Sequence, residues 1–168
     1  MQQELVSIAE ELGVALKERE WRLTTAESCT GGLISTVLCA TADSAEFYSG
    51  GMVTYSNRAK RKLLQVSAKT LATHTAVSKE TVSAMALGAL TASEEAVSIA
   101  VSGYAGPEGG NDGTPAGTVW FAWAILNEVI DTRVLHFKGN SEQVIYQAAY
   151  FALHHLSILL KSLPPSNV

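Results

Sequence analysis

Thr24-Thr25-Ala26-Glu27-Ser28-Cys29-Thr30-Gly31-Gly32 is the stretch on which the reading of this chain turns. On its amino side, Trp21 to Ala26 reads as a short strand. On its carboxyl side, roughly Leu33 to Ala40 forms an apolar helical run. Ser28 therefore falls where a strand gives way to a helix. In open α/β folds that junction lies at the carboxyl edge of the sheet, where ligands bind. A helix start offers unpaired N–H groups and a positive dipole end. Such groups stabilise an oxyanion or hold a phosphate, and the glycines let a substrate come close. The plainer reading is that Ser28 or Thr30 simply caps the helix. Spacing alone leaves both readings open.

Outward from this stretch the pattern is helical and extended by turns. Leu5, Ile8, Ala9, Leu12 and Leu16 recur at helical spacing, so the chain opens with an amphipathic helix. Gly50 to Tyr55 reads as a second strand, and Ser56-Asn57 supplies cap chemistry for a basic helix ending near Gln65. A longer helix is predicted from about Ser78 to Ala92, followed by a buried strand from Ala96 to Ser102. Gly103 to Gly117 holds six glycines and two prolines and is predicted to be irregular. Val119 to Leu126 and Val129 to Phe137 flank Asn127-Glu128, read as a two-residue hairpin turn. A last helix spans about Ser141 to Lys161 and stops before Pro164-Pro165. Helices alternating with strands, plus one hairpin, predict an α/β fold: a three-layer α/β/α sandwich with a mixed sheet. With 168 residues and no linker or repeat, the expectation is one domain over 1–168.

Two further segments bear chemistry. Tyr55 ends the second strand, and Lys60 lies about one turn into the helix that follows. A lysine acts as a base only when neutral, and burial or nearby cations push it that way. Tyr55 is placed to pass a proton or orient a serine. Ser102-Gly103-Tyr104-Ala105-Gly106-Pro107-Glu108-Gly109-Gly110 is a glycine-rich loop able to present N–H groups to an anion. It matches neither a P-loop nor a dinucleotide fingerprint, and a plain surface loop is an equal reading. Two rival nucleophile schemes are weaker. Cys29 needs a neighbouring base and reads better as a small buried residue. A serine–histidine–acid triad with His74, His136, His154 or His155 lacks any local signature such as G-x-S-x-G.

Together these segments resemble the CinA C-terminal domain family, the nicotinamide-nucleotide amidohydrolases. The matching residues are Ala26-Glu27-Ser28-Cys29-Thr30-Gly31-Gly32, Gly51 with Thr54-Tyr55-Ser56-Asn57, and Ala59-Lys60. Ala76-Val77-Ser78, Met85-Ala86, Ser102-Gly103, Ala105-Gly106-Pro107, Gly109-Gly110, Pro115 and Gly117-Thr118-Val119 follow in order. The resemblance implies Ser28 as nucleophile, Lys60 as base and Tyr55 assisting. It implies hydrolysis of nicotinamide mononucleotide to nicotinic acid mononucleotide and ammonia, without metal or organic cofactor, by a homodimer or higher homo-oligomer. Thr30, Gly31, Gly32, Gly106, Gly109 and Gly110 are the expected oxyanion and substrate contacts. The family's lysine before Pro-x-Gly-Thr is Thr114 here, and its Gly-Asp-Arg run is Gly139-Asn140-Ser141. Those cations are phosphate or cross-subunit contacts in the family pattern, so the expectation is weakened nucleotide binding unless Arg58, Arg61 or Lys138 compensates. The alternative is a nucleotide-binding paralogue that turns over weakly or not at all.

Composition narrows the partners. The formal net charge of -4 and a single dense basic stretch, Arg58 to Lys62, argue against nucleic acid. No apolar run approaches the roughly 20 residues of a membrane span. The first residues lack the basic start and apolar core of a signal peptide. Cys29 and Cys39 form neither a disulfide framework nor a metal pair, so a cytoplasmic setting is expected.

Overall fold

The computed structural model describes residues 2–166. Helix α1 (Gln3–Glu18) buries the predicted stripe Leu5, Ile8, Ala9, Leu12 and Leu16. Strand β1 (Leu23–Glu27) is buried along its whole length and leads into α2 (Leu33–Cys39). A single turn, α3 (Ser44–Phe47), precedes β2 (Tyr48–Val53). Helices α4 (Asn57–Leu64), α5 (Ala68–His74) and α6 (Lys79–Ser93) follow, capped by the hydroxyls of Ser56, Ser67 and Ser78 respectively. Strands β3 (Val97–Gly103), β4 (Thr118–Ile125) and β5 (Glu128–His136) complete the sheet. Helix α7 (Ser141–Ser162) opens on a capping box between Asn140 and Gln143.

The strand order is β2-β1-β3-β4-β5. The first three run parallel, and β4 and β5 are antiparallel additions. This is the mixed sheet the alternation predicted. Large and small side chains divide between its faces. Val97, Ile99, Val101, Val119, Phe121 and Trp123 pack with α1, α2 and α7. Ala100, Ala122 and Ala124 pack with the Ala- and Met-rich side of α6. The small residues bring α6 close to the sheet. Gly88 likewise lets α6 touch the last turn of α4, because a Cβ there would strike the Leu64 carbonyl. Buried Trp123 stacks on Phe121 and donates its indole N–H to the Ala152 carbonyl at 3.0 Å, tying α7 to the sheet.

Two local expectations change. The hairpin turn is Leu126-Asn127, with φ of 51° and 67°, and Ile125 pairs with Glu128. Both turn residues are left-handed, as a primed two-residue turn requires. Glu128 therefore begins β5, one residue earlier than the turn chemistry of Asn127 suggested. The helices α3 and α5 escaped the sequence reading because four and seven residues are too short to display a period.

Candidate active site

Parallel pairing brings the carboxyl ends of β1, β2 and β3 to one edge. The ladder continues one residue past the strands. The Ser28 amide donates to the Val101 carbonyl at 3.0 Å, and the Thr54 amide donates to the Glu27 carbonyl at 2.8 Å. These bonds hold the backbone of Ser28 beside the segment that leads to α4. Ser56 caps that helix by accepting the Ala59 amide at 3.1 Å, and the first turn carries Lys60 back toward the sheet.

Lys60 is 1% exposed. Its Nζ donates to Ser28 Oγ at 2.9 Å, to the Thr54 carbonyl at 2.7 Å and to the Tyr55 carbonyl at 3.4 Å. Burial pushes its pKa down to about 8, with Cys29 pulling weakly the other way. A neutral amine has two N–H donors and one lone pair. The ammonium donates to the hydroxyl and both carbonyls; once a proton is lost, the carbonyls keep the two N–H groups and the lone pair is left to face the Ser28 O–H.

The helix cap is a correction. Neither Ser28 nor Thr30 caps α2. Its first position is preceded by Gly32, at φ 98°, with no side-chain cap of its own. The cap is instead the carboxylate of Glu27, which is 0% exposed. Oε1 accepts from Thr30 Oγ1 at 2.7 Å and from the Ile34 amide at 2.9 Å. Oε2 accepts from the Ser35 amide at 3.0 Å and from Ser35 Oγ at 2.7 Å. Glu27 leaves the Ser28 hydroxyl to Lys60. The signal for it was a charged residue at the end of an otherwise uncharged strand.

The turn between Glu27 and Gly32 also sorts the amides. The Gly31 N–H donates to the Ser28 carbonyl at 3.0 Å and is taken. The amides of Cys29 and Thr30 donate to no backbone carbonyl among the described residues and lie against the Cys29 sulfur. Cys29 is buried, which pushes its thiol up to about 12 against the pull of those two amides and Lys60. It is the small buried residue the sequence suggested.

A cavity of about 700 Å³ opens over Ser28 and Lys60, with Tyr55, Tyr104, Gly106 and Ser141 in its wall. Thr30 and Gly31 also line it. Tyr55 stands at the rim, 75% exposed. Its backbone carbonyl, not its phenol, meets Lys60. Gly109 and Gly110 line a neighbouring cavity of about 430 Å³ that shares Tyr104 with the first. The Gly110 amide is spent on the Thr114 carbonyl at 2.8 Å. Of the two substituted cation positions, Ser141 faces the main cavity and Thr114 does not. Among the described residues Lys60 is the one cation in that wall, and Glu108 adds a negative charge. No histidine lines it among the described residues. His155 instead contacts Asp131 at 2.7 Å, between α7 and β5.

Residues 5–160 match the CinA C-terminal domain family. The chain belongs to that family. Its relatives include protein YdeJ of Escherichia coli K12, 50% identical over 90% of each chain. The nicotinamide-nucleotide amidohydrolase PncC of the same strain is 44% identical over 91% of this chain and 93% of its own. A crystal structure of a CinA superfamily protein from Klebsiella pneumoniae 700603 superposes with a TM-score of 0.92 at 50% identity, covering 95% of this chain and 99% of that one. Among its described residues, this CinA C-terminal domain has no helix long and apolar enough to cross a membrane. Nor do these residues contain a group of three or more His, Cys, Asp or Glu side chains able to hold a metal ion.

Proposed function

We propose that this chain is an amidohydrolase that cuts the carboxamide of nicotinamide mononucleotide, with Ser28 as nucleophile and Lys60 as base. The observation that carries this reading is the 2.9 Å contact between Lys60 Nζ and Ser28 Oγ. It lies at the floor of an open cavity, with a lysine whose burial favours the neutral amine. The nicotinamide-nucleotide amidohydrolase PncC, 44% identical to this chain, supplies the substrate class.

In the proposed reaction, neutral Lys60 takes the Ser28 proton as Oγ bonds to the carboxamide carbon. The oxyanion that forms is met by the amides of Cys29 and Thr30. As the tetrahedral carbon collapses, the C–N bond breaks and Lys60 gives its proton to the departing ammonia. Water then attacks the acyl ester, with Lys60 again removing the proton, and nicotinic acid mononucleotide leaves as Ser28 regains its hydrogen. No metal or organic cofactor enters this scheme. We place the reaction in a homo-oligomer on the strength of the family resemblance, and in the cytoplasm because Cys29 and Cys39 form no disulfide framework.

The cavity wall favours a second reading, a nucleotide-binding paralogue that turns over weakly. Lys60 is already committed to Ser28 and two carbonyls, and Glu108 opposes a phosphate. An ammonia-release assay on nicotinamide mononucleotide, run beside a binding titration, separates the two. Release abolished by Ser28→Ala supports the amidohydrolase. Binding without release, in a folded protein, replaces it with the paralogue.

A further inference from the structure

Glu27 is a fully buried carboxylate directly before the proposed nucleophile, and all four of its lone-pair positions are filled by protein donors. The chain between Glu27 and its first partner, Thr30, contains Ser28 and leads through the amides of Cys29 and Thr30. Its hydrogen bonds therefore close the loop that carries the reacting groups.

The carboxylate is not isolated. Ser35 Oγ, one of its donors, also accepts from Tyr48 Oη at 2.8 Å and lies 3.1 Å from Thr25 Oγ1. Thr25 Oγ1 and Tyr48 Oη are 3.0 Å apart. These three hydroxyls form a closed triangle beneath Glu27, reaching from β1 and α2 to the first residue of β2. Gly51 makes room for it. A Cβ at Gly51 would strike Thr25 Oγ1 and come within 2.6 Å of both Ser35 Oγ and Tyr48 Oη. This glycine on an edge strand thus owes its place to the polar unit that a Cβ there would strike, not to a turn.

We propose that Glu27, seated on the Thr25–Ser35–Tyr48 hydroxyl triangle, is a positioning residue that sets the Ser28–Thr30 turn for nucleophilic attack. This rests on the serine–lysine reading above. A buried polar unit of this kind is worth keeping only when every member is satisfied, and here every oxygen of Glu27 is. It reaches Lys60 through no hydrogen bond, so its effect is on geometry and not on the ionisation of the base. A misplacement of about 1 Å at a reacting group costs on the order of 100-fold in rate.

The test compares wild type with Glu27→Gln, Glu27→Asp and Ser35→Ala, each first checked for native far-UV dichroism. Amide hydrogen exchange over residues 28–36 reads the turn directly and needs no substrate. Ammonia release reads kcat, KM and the pH profile. In Glu27→Gln, exchange over 28–36 should rise about tenfold or more while β4 and α7 stay unchanged. Its kcat should fall roughly 100-fold, with KM within about threefold and the pH midpoint unmoved. Glu27→Asp keeps the charge but is too short to span four donors, so it should not rescue; Ser35→Ala should fall between. Unchanged exchange over 28–36 in a folded Glu27→Gln overturns the proposal. So does a kcat within threefold of wild type, full rescue by Asp, or a rate loss that tracks a shifted pH midpoint. If wild type releases no ammonia, the amidohydrolase reading fails and the exchange experiment alone decides whether Glu27 holds the turn.

Discussion

Lys60 Nζ and Ser28 Oγ lie 2.9 Å apart although 32 residues separate them in the chain. The pair implies a rate that depends on losing one proton from Lys60. With a pKa near 8, roughly a tenth of the lysine is neutral at pH 7. Activity should therefore rise through about pH 8 and level off above it. Ser28→Ala and Lys60→Arg should each remove nearly all turnover, since arginine does not give up its proton. A pH–rate curve flat from 6 to 9, or a Lys60→Arg enzyme of near-normal rate, would show that Lys60 acts only as a contact.

The same lysine predicts a pH dependence of stability. Its folded pKa, about 8, is below the ordinary 10.5. Between those values the unfolded chain binds more protons, so the Lys60 contribution to stability rises with pH across that window. The penalty is fully present below pH 8 and relieved above 10.5. Relative to Lys60→Met, wild type should gain roughly 3 kcal/mol from pH 7 to pH 10.5. Denaturant melts of both proteins at several pH values measure it. A constant difference would mean that Lys60 keeps an ordinary pKa in the fold.

Cys29 and Cys39 should separate cleanly in a thiol-labelling experiment. Cys29 is buried with its thiol pushed up to about 12, whereas Cys39 is exposed. Iodoacetamide at pH 8 should modify Cys39 and leave Cys29 intact in the native protein, as intact-mass and peptide analysis would read. Cys29→Ala should keep most of the activity. Its loss would move the nucleophile by one residue.

Ser141 and Thr114 should respond differently to restored charge. Ser141 lines the main cavity and Thr114 does not. A charge-assisted bond to phosphate is worth about 1.5–3 kcal/mol, so Ser141→Arg should lower KM for nicotinamide mononucleotide by roughly tenfold or more. Its effect on kcat should be small, because the phosphate is remote from the carboxamide. Thr114→Lys should change little. Equal effects of the two variants would mean that the phosphate lies outside the main cavity, within reach of the loop that Gly110 and Thr114 close.

Leu126 sits exposed in the β4–β5 turn at φ 51°. Left-handed backbone costs a leucine about 1 kcal/mol that asparagine or glycine largely avoids. Leu126→Asn combined with Asn127→Gly should stabilise the fold by about that much, read as a higher midpoint in urea. A lower midpoint would show that Leu126 has a packing role.

The sequence by itself determined the order of the longer elements, the mixed sheet, the location of Ser28 at a strand end and that of Lys60 in the first turns of the helix after β2. These follow from local rules: hydrophobic period, cap chemistry and glycine-rich breaks act over a few residues and are written in the chain. It also marked Cys29 as a buried bystander. Tertiary structure alone decided which groups meet. Glu27 looked like one more polar residue beside a serine, yet parallel pairing with β2 and β3 buries it and gives it four donors. Gly109 and Gly110 read as substrate contacts, but the loop folds on itself and takes the Gly110 amide, so they line a second cavity. Tyr55 read as a proton carrier, and its phenol stands at the rim while its carbonyl touches Lys60. The physical reason is common to all three. Whether a polar group is spent or free depends on partners many residues away, and only the packed chain chooses them.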